Sequence, residues 1–141
     1  MEVLKWHFPH LQCSATTYFA ACMLHMSSTI FHAESSWVIA SGLYAQSFLV
    51  THGAEQSQAR SVCEAIFRQE CFGTRGQQTT LTAILRLAIT MDNHLEHLCL
   101  LTSANRDRAH EMFPREGWDA WLAQYHAVEL RAKPWVVMSW I

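Results

Sequence analysis

Apolar residues recur along this chain at helical spacing, and the breaks between the recurring stretches hold its few glycines and prolines. Ser14 stands as a cap before a stretch in which Tyr18, Cys22 and His25 fall on successive turns. Ser35 or Ser36 caps a second, which sets Trp37, Ala40, Tyr44 and Phe48 on one stripe and stops at Gly53. A third runs from about Glu55 to Cys71, with Val62, Cys63, Ile66 and Phe67 at the spacing of an apolar face, and Gly73 closes it. After a polar loop from Thr74 to Gln78, a fourth begins near Thr79 and carries Leu81, Ile84, Leu85, Ala88 and Leu95. Ser103 caps a short fifth that ends before Pro114. The sixth starts around Glu116, uses Trp118, Trp121, Leu122, Tyr125 and Val128, and stops at Pro134. Strand-type alternation is not sustained, and Val136 and Val137 are too few to make a sheet. The pattern predicts an all-α fold, a compact bundle of five to six helices.

Composition adds three constraints. The length of 141 residues fits one domain, 1–141, able to bury a sizeable core. Hydrophobic residues make up 50% of the chain and charged residues 16%, against about 25% charged in ordinary soluble proteins. That apolar surplus fills a core, lines a pocket or covers a subunit interface. A net charge of -2 without any Lys/Arg cluster excludes a nucleic-acid partner, which needs a basic footprint. No run reaches the roughly 18 apolar residues that span a bilayer, so no membrane association is expected. The first residues lack a secretory pattern, and the five cysteines, Cys13, Cys22, Cys63, Cys71 and Cys99, form no close pair. Free thiols in a reducing, cytoplasmic compartment are the expectation.

Four stretches carry a family resemblance. Trp6-His7-Phe8-Pro9 precedes a helix that ends in Ala21-Cys22-Met23-Leu24-His25. Ser61 to Arg68 is followed by Phe72-Gly73, and Leu81 to Ala88 by Met91-Asp92-Asn93. Phe113-Pro114-Arg115-Glu116-Gly117-Trp118 comes ahead of Glu129-Leu130 and Lys133-Pro134-Trp135. In this order they resemble the H-F-P-x-W, C-L-L-H-D, A-E-A-I-I-R-H-Q-D-x-G, Y-D-N, F-P-R-K-G-W and K-P-W segments of the HD-domain superfamily, in the branch that includes the fungal cyanamide hydratases. The resemblance implies a helical HD-like bundle, here N-terminally shortened.

It also implies a metal site, which this sequence has degraded. HD proteins hold divalent metal with an upstream His, a His-Asp pair and a distant Asp, a set that lowers the pKa of bound water. Here only six residues precede His7, His25 is followed by Met26, and R-H-Q-D has become Arg68-Gln69-Glu70-Cys71. His25 and Asp92 survive, and a thioether at Met26 is a poor ligand for a hard or borderline cation. His32, Glu34, Glu70, His94 and His97 are conceivable substitutes. The expectation is therefore a site with no metal and no cofactor. Zn or Fe enters only if ligands have been rearranged.

In such a pocket His25 and Asp92 act as acid and base, while Arg68 holds a developing negative charge. His32 and Glu34, after the first helix, are second candidates for acid or base. The bland alternative is a relic polar network pinning three helices. Trp37 either packs a bulky ligand or fills space left by the metal shell. The leading expectation is a metal-independent enzyme of lyase, isomerase or cyclase type acting on a small hydrophobic natural-product intermediate. The alternatives are a metal-dependent hydratase or hydrolase of the cyanamide hydratase type and a non-catalytic binding protein. Loss of a covering helix, with so few charges, predicts a symmetric homodimer.

Overall fold

In a computed structural model that describes residues 13–27, 36–69, 78–93 and 98–132, the described residues form six α-helices and one 3-10 turn, with no strand. The fold class is all-α. Residues 1–100 and 101–141 form two compact units. The first contains α1 (Ala15–Leu24), α2 (Trp37–Thr51), α3 (Gln56–Arg68) and α4 (Thr80–Asn93). The second contains α5 (Ser103–Met112) and α6 (Trp118–Ala132).

Local chemistry sets most helix ends. Ser14 is extended and its hydroxyl accepts from the Thr17 amide at 3.5 Å, which starts α1 where the cap pattern predicts. Ser36 rather than Ser35 precedes α2, without a side-chain cap bond. At the other end the chain turns at Gly53, whose φ of +86° suits a residue without Cβ. The Ala54 amide then reaches back to the Leu49 carbonyl at 2.9 Å. Thr79 caps α4, accepting from the Thr82 amide at 3.2 Å and sharing a 2.8 Å bond with the Thr82 hydroxyl. That bond satisfies a threonine hydroxyl with no exposure at all. Helix α3 ends at Arg68, short of the expected Cys71. Its cap residue Gln69 bonds back to Ile66, three residues earlier, and tightens the last turn. Leu95, Cys71 and Gly73 lie outside the described residues.

Helix α3 is the centre of the first unit, packing against α1, α2 and α4. Val62, Ala65 and Ile66 are completely buried, and they meet Ala21 of α1, Ala45 of α2, and Leu81 and Leu85 of α4. Tyr18, Cys22, Leu24, Leu49 and Ile89 close around this cluster. Fully burying a side chain such as Ile66 stabilises by about 1.5–3 kcal/mol.

The buried face of α2 differs from expectation. Trp37 is buried, but Tyr44 and Phe48 are exposed and stack on each other at 5.9 Å, and the inward stripe is Val38, Ser41, Gly42 and Ala45. Nearly every turn of α2 is apolar all round, so periodicity does not choose a face. Closeness of approach does, because the small residues Ser41, Gly42 and Ala45 of α2 are buried where it packs against α3. A Cβ at Gly42 would run into the Phe67 ring and stand 3.1 Å from the Cys63 carbonyl oxygen.

In the second unit Thr102, not Ser103, caps α5, its hydroxyl accepting from the Asn105 amide at 3.2 Å. No residue of α5 is buried. Gly117, with φ +74°, leads into α6. Trp118, Trp121 and Tyr125 form a stacked ladder with centroids 5.1 and 5.5 Å apart, and the Arg115 guanidinium lies 5.6 Å from the Trp118 ring centre. Trp121 and Val128, expected in a core, are exposed, because the ladder stacks along one helix instead of inserting into a neighbour. No helix among the described residues is long and apolar enough to cross a membrane.

Gly42→Ala therefore tests the α2–α3 crossing. Overpacking costs about 1–3 kcal/mol and the gain in helix propensity returns about 1 kcal/mol. The expected net loss, up to about 2 kcal/mol, is read by urea denaturation, with Gly53→Ala as a control for strain without crowding.

Candidate functional site

Three helices of the first unit carry polar residues one turn beyond the shared core. On α1, His25 follows Ala21. On α4, Asp92 follows Ile89. On α3, Gln69 follows Ile66. The Gln58 amide nitrogen donates to the Thr17 hydroxyl at 3.0 Å, pinning the early turns of α1 and α3 together. His25 follows α1 and Gln69 follows α3 at their C-terminal ends. The Asp92 charge acts on His25, although the Asp92 side chain itself is exposed.

His25 is the best-defined group of the site. It caps α1 and is half-buried, with its Nδ1 2.7 Å from the Cys22 carbonyl oxygen. A carbonyl only accepts, so Nδ1 carries the proton and donates, leaving the Nε2 lone pair as the basic position of the neutral ring. Burial holds the imidazole below its ordinary proton affinity, while the Cys22 carbonyl and the Asp92 carboxylate pull the other way and are outweighed. A neutral ring with a fixed tautomer is suited to taking a proton near neutral pH.

Beside it, Tyr18 and Cys22 form a second polar pair. Burial pushes the Tyr18 phenol well above its usual range, aided by its contact with Cys22, and burial likewise raises the Cys22 thiol. Both groups stay neutral at physiological pH. Cys13, Cys22, Cys63 and Cys99 are free thiols, in line with the absence of a close pair in the sequence.

The other expected site residues fall elsewhere or outside the described residues. Arg68 Nε donates to Glu64 Oε1 at 3.1 Å, an i,i+4 pair in which each side chain is 43% exposed. Such a pair contributes little stability, and it leaves Glu64 as the described partner of the guanidinium. His32 and Glu34 lie outside the described residues, as do Glu70, His94 and His97. Among the described residues no three His, Cys, Asp or Glu side chains gather closely enough to hold a metal ion. The donor set described, His25 and Asp92, does not by itself fit a Zn or Fe centre, which takes at least three protein ligands.

Gln69 is the residue that sequence reasoning missed. It is 3% exposed, and neither Nε2 nor Oε1 has a hydrogen-bond partner among the described residues. The signal was present: Val62, Ile66 and Gln69 fall at i, i+4 and i+7, so Gln69 continues the buried stripe of α3.

No family model matches this sequence. The chain is similar to two curated proteins of Saccharomyces cerevisiae strain S288c, cyanamide hydratase DDI2 and cyanamide hydratase DDI3. It is 27% identical to each over 140 residues, which is 96% of this chain and 62% of each relative. The chain thus spans less than two thirds of the length of the curated relatives it matches.

Protonation of His25 sets a pH dependence. Its folded-state affinity is depressed, so the unfolded chain binds the proton first as pH falls. Stability from this group is fully present above the ordinary value of 6.5 and is lost as pH falls through the lower folded value. The slope from one such group is at most about 1.4 kcal/mol per pH unit. Chemical denaturation between pH 7.5 and 5 should therefore show a steeper decline for the wild type than for His25→Asn.

Along nearly all of its length the chain is thus distantly similar to two proteins named as cyanamide hydratases.

Proposed function

We propose that the chain carries a hydratase-type site in which His25 is the general base and Asp92 its charge partner. The observation that carries this reading is the bond from His25 Nδ1 to the Cys22 carbonyl, which leaves Nε2 basic on a half-buried ring that feels the Asp92 charge. The two similar proteins, both hydratases by name, favour it over the lyase, isomerase or cyclase reading. The matching segments and their order support an HD-like origin for the scaffold.

The substrate class is a small molecule with a carbon–nitrogen multiple bond, of which cyanamide is the simplest to test. His25 Nε2 takes a proton from water as the water oxygen bonds to the nitrile carbon. The imidazolium then gives that proton to the nitrile nitrogen, restoring the neutral base and leaving an imidic acid that tautomerises to the carboxamide. With cyanamide, the sum of the two molecules is urea. Asp92 offsets the positive charge on the imidazolium while it exists.

Urea formation from cyanamide, followed by carbon-13 NMR, tests this. His25→Asn should lower kcat by about 10²–10⁴-fold. Asp92→Asn should lower it less and move the acid limb of the pH profile downward, because the carboxylate that raises the proton affinity of His25 has gone. Full kcat in His25→Asn would sink the reading. Metal content by mass spectrometry, with and without chelator, separates the metal-dependent form of the hydratase.

We further propose that the first unit pairs with a second copy of the chain through α2. Ile39, Leu43 and Val50 are exposed there, and the helix has no Asp, Glu, Lys or Arg from Trp37 to Thr51. A two-fold contact along α2 therefore opposes no like charges. Light scattering should give about twice the 16.2 kDa chain mass for the wild type. It should give the single-chain mass for Leu43→Glu, and a monomeric wild type would overturn the pairing.

A further inference from the structure

The Gln69 side chain presents a cost with no structural return. An amide taken out of water without a hydrogen bond costs about 1–3 kcal/mol by mutational measures, and Gln gives up rotamer freedom as well. Buried polar groups in folded proteins are nearly always satisfied, so an orphan pair of donor and acceptor asks what completes it. Here both ends of one carboxamide are orphaned together, at 3% exposure. An apolar residue would extend the Val62–Ile66 stripe at no such cost.

Position narrows the answer. Gln69 caps α3, whose early turn is bonded through Gln58 to Thr17 of α1, the helix that His25 caps. Unlike a hydroxyl or an ammonium, a primary carboxamide offers one acceptor and one donor side by side in a plane. Its complement is another planar group with donor and acceptor adjacent: a carboxamide, a urea or an imidic acid. Two parallel hydrogen bonds to such a group satisfy Oε1 and Nε2 at once.

We propose that Gln69 is a specificity residue that binds a ligand through a planar donor–acceptor pair, of the carboxamide or urea class. Nε2–H donates to the ligand carbonyl oxygen and Oε1 accepts from the ligand N–H. The identity of the ligand rests on the hydratase reading, in which nitrile hydration ends in a carboxamide. Gln69 holds that product, and the imidic acid before it, while the linear nitrile cannot engage both atoms together. The gain is therefore made as the bond geometry changes from linear to planar, where it favours the forward step.

The test is binding, measured apart from turnover, by two-dimensional NMR of the nitrogen-15-labelled full chain titrated with acetamide. The Gln69 side-chain NH2 peaks are those absent from the spectrum of Gln69→Leu. On addition of acetamide they should shift in a saturable way. N,N-dimethylacetamide, which keeps the carbonyl and lacks the N–H, should bind at least about tenfold more weakly, a loss of about 1.4 kcal/mol. Gln69→Leu should lose acetamide binding by a similar factor and melt no lower than the wild type, because an unsatisfied buried amide has been removed. A wild type that binds acetamide but forms no urea from cyanamide would sink the hydratase reading and leave this result standing. Absence of saturable acetamide binding, equal binding by Gln69→Leu, or a markedly lower melting temperature for that variant would each overturn the proposal, the last by assigning Gln69 a structural bond.

Discussion

Everything in the first unit depends on α3 sharing one apolar stripe among three neighbours. Val62, Ala65 and Ile66 are fully buried because α1, α2 and α4 close on them together. Most isolated helices of this length are marginal in water, so α3 is held by the packing of its face more than by propensity. Its approach to α2 is limited by Gly42, where the Phe67 ring and the Cys63 carbonyl occupy the space of a side chain. A wider crossing would thin the core on every side, because all three contacts share the same few residues.

The site follows from that arrangement by continuation. Where each helix runs past the core, the next turn is polar: His25 after Ala21 is half-buried, Gln69 after Ile66 is buried, and Asp92 after Ile89 is exposed. Helix ends are where backbone carbonyls go unpaired, and the Cys22 carbonyl uses that freedom to accept from His25 Nδ1. The tautomer of the imidazole is thus a by-product of capping α1. Burial then lowers its proton affinity, while the nearby carboxylate limits the fall. Packing, cap and charge act on one ring.

Much of the fold was legible, for reasons that can be named. Ser14, Thr79 and Gly53 each act through backbone chemistry that depends on residue type alone, so the ends of α1, α2 and α4 could be read directly. The amphipathic α3 announced its buried face. Helix α2 did not, because apolar residues on all sides leave the choice to steric fit, and Gly42 marks the chosen face only once Phe67 is seen opposite. The ladder of Trp118, Trp121 and Tyr125 misled in a different way, since aromatic residues at helical spacing can satisfy one another along the helix surface. Of the site, His25 and Asp92 were named from the resemblance, and the structure adds that the Asp92 charge acts on His25. The engagement of Arg68 with Glu64 follows the ordinary i,i+4 rule and needed only that rule applied.

Gln69 shows what a ligand-based reading hides. Judged against the R-H-Q-D segment, it is a lost imidazole, and the loss argues against a metal. Judged by its own chemistry, it is a gain, because a carboxamide offers a donor and an acceptor side by side where a metal-bound imidazole keeps one N–H donor and no acceptor. The two descriptions predict different sites from the same substitution. A relic would drift toward apolar residues, which remove the desolvation cost of an unpaired amide without disturbing the stripe. A buried amide with both ends open is the outcome that drift does not favour, and it caps α3 as His25 caps α1.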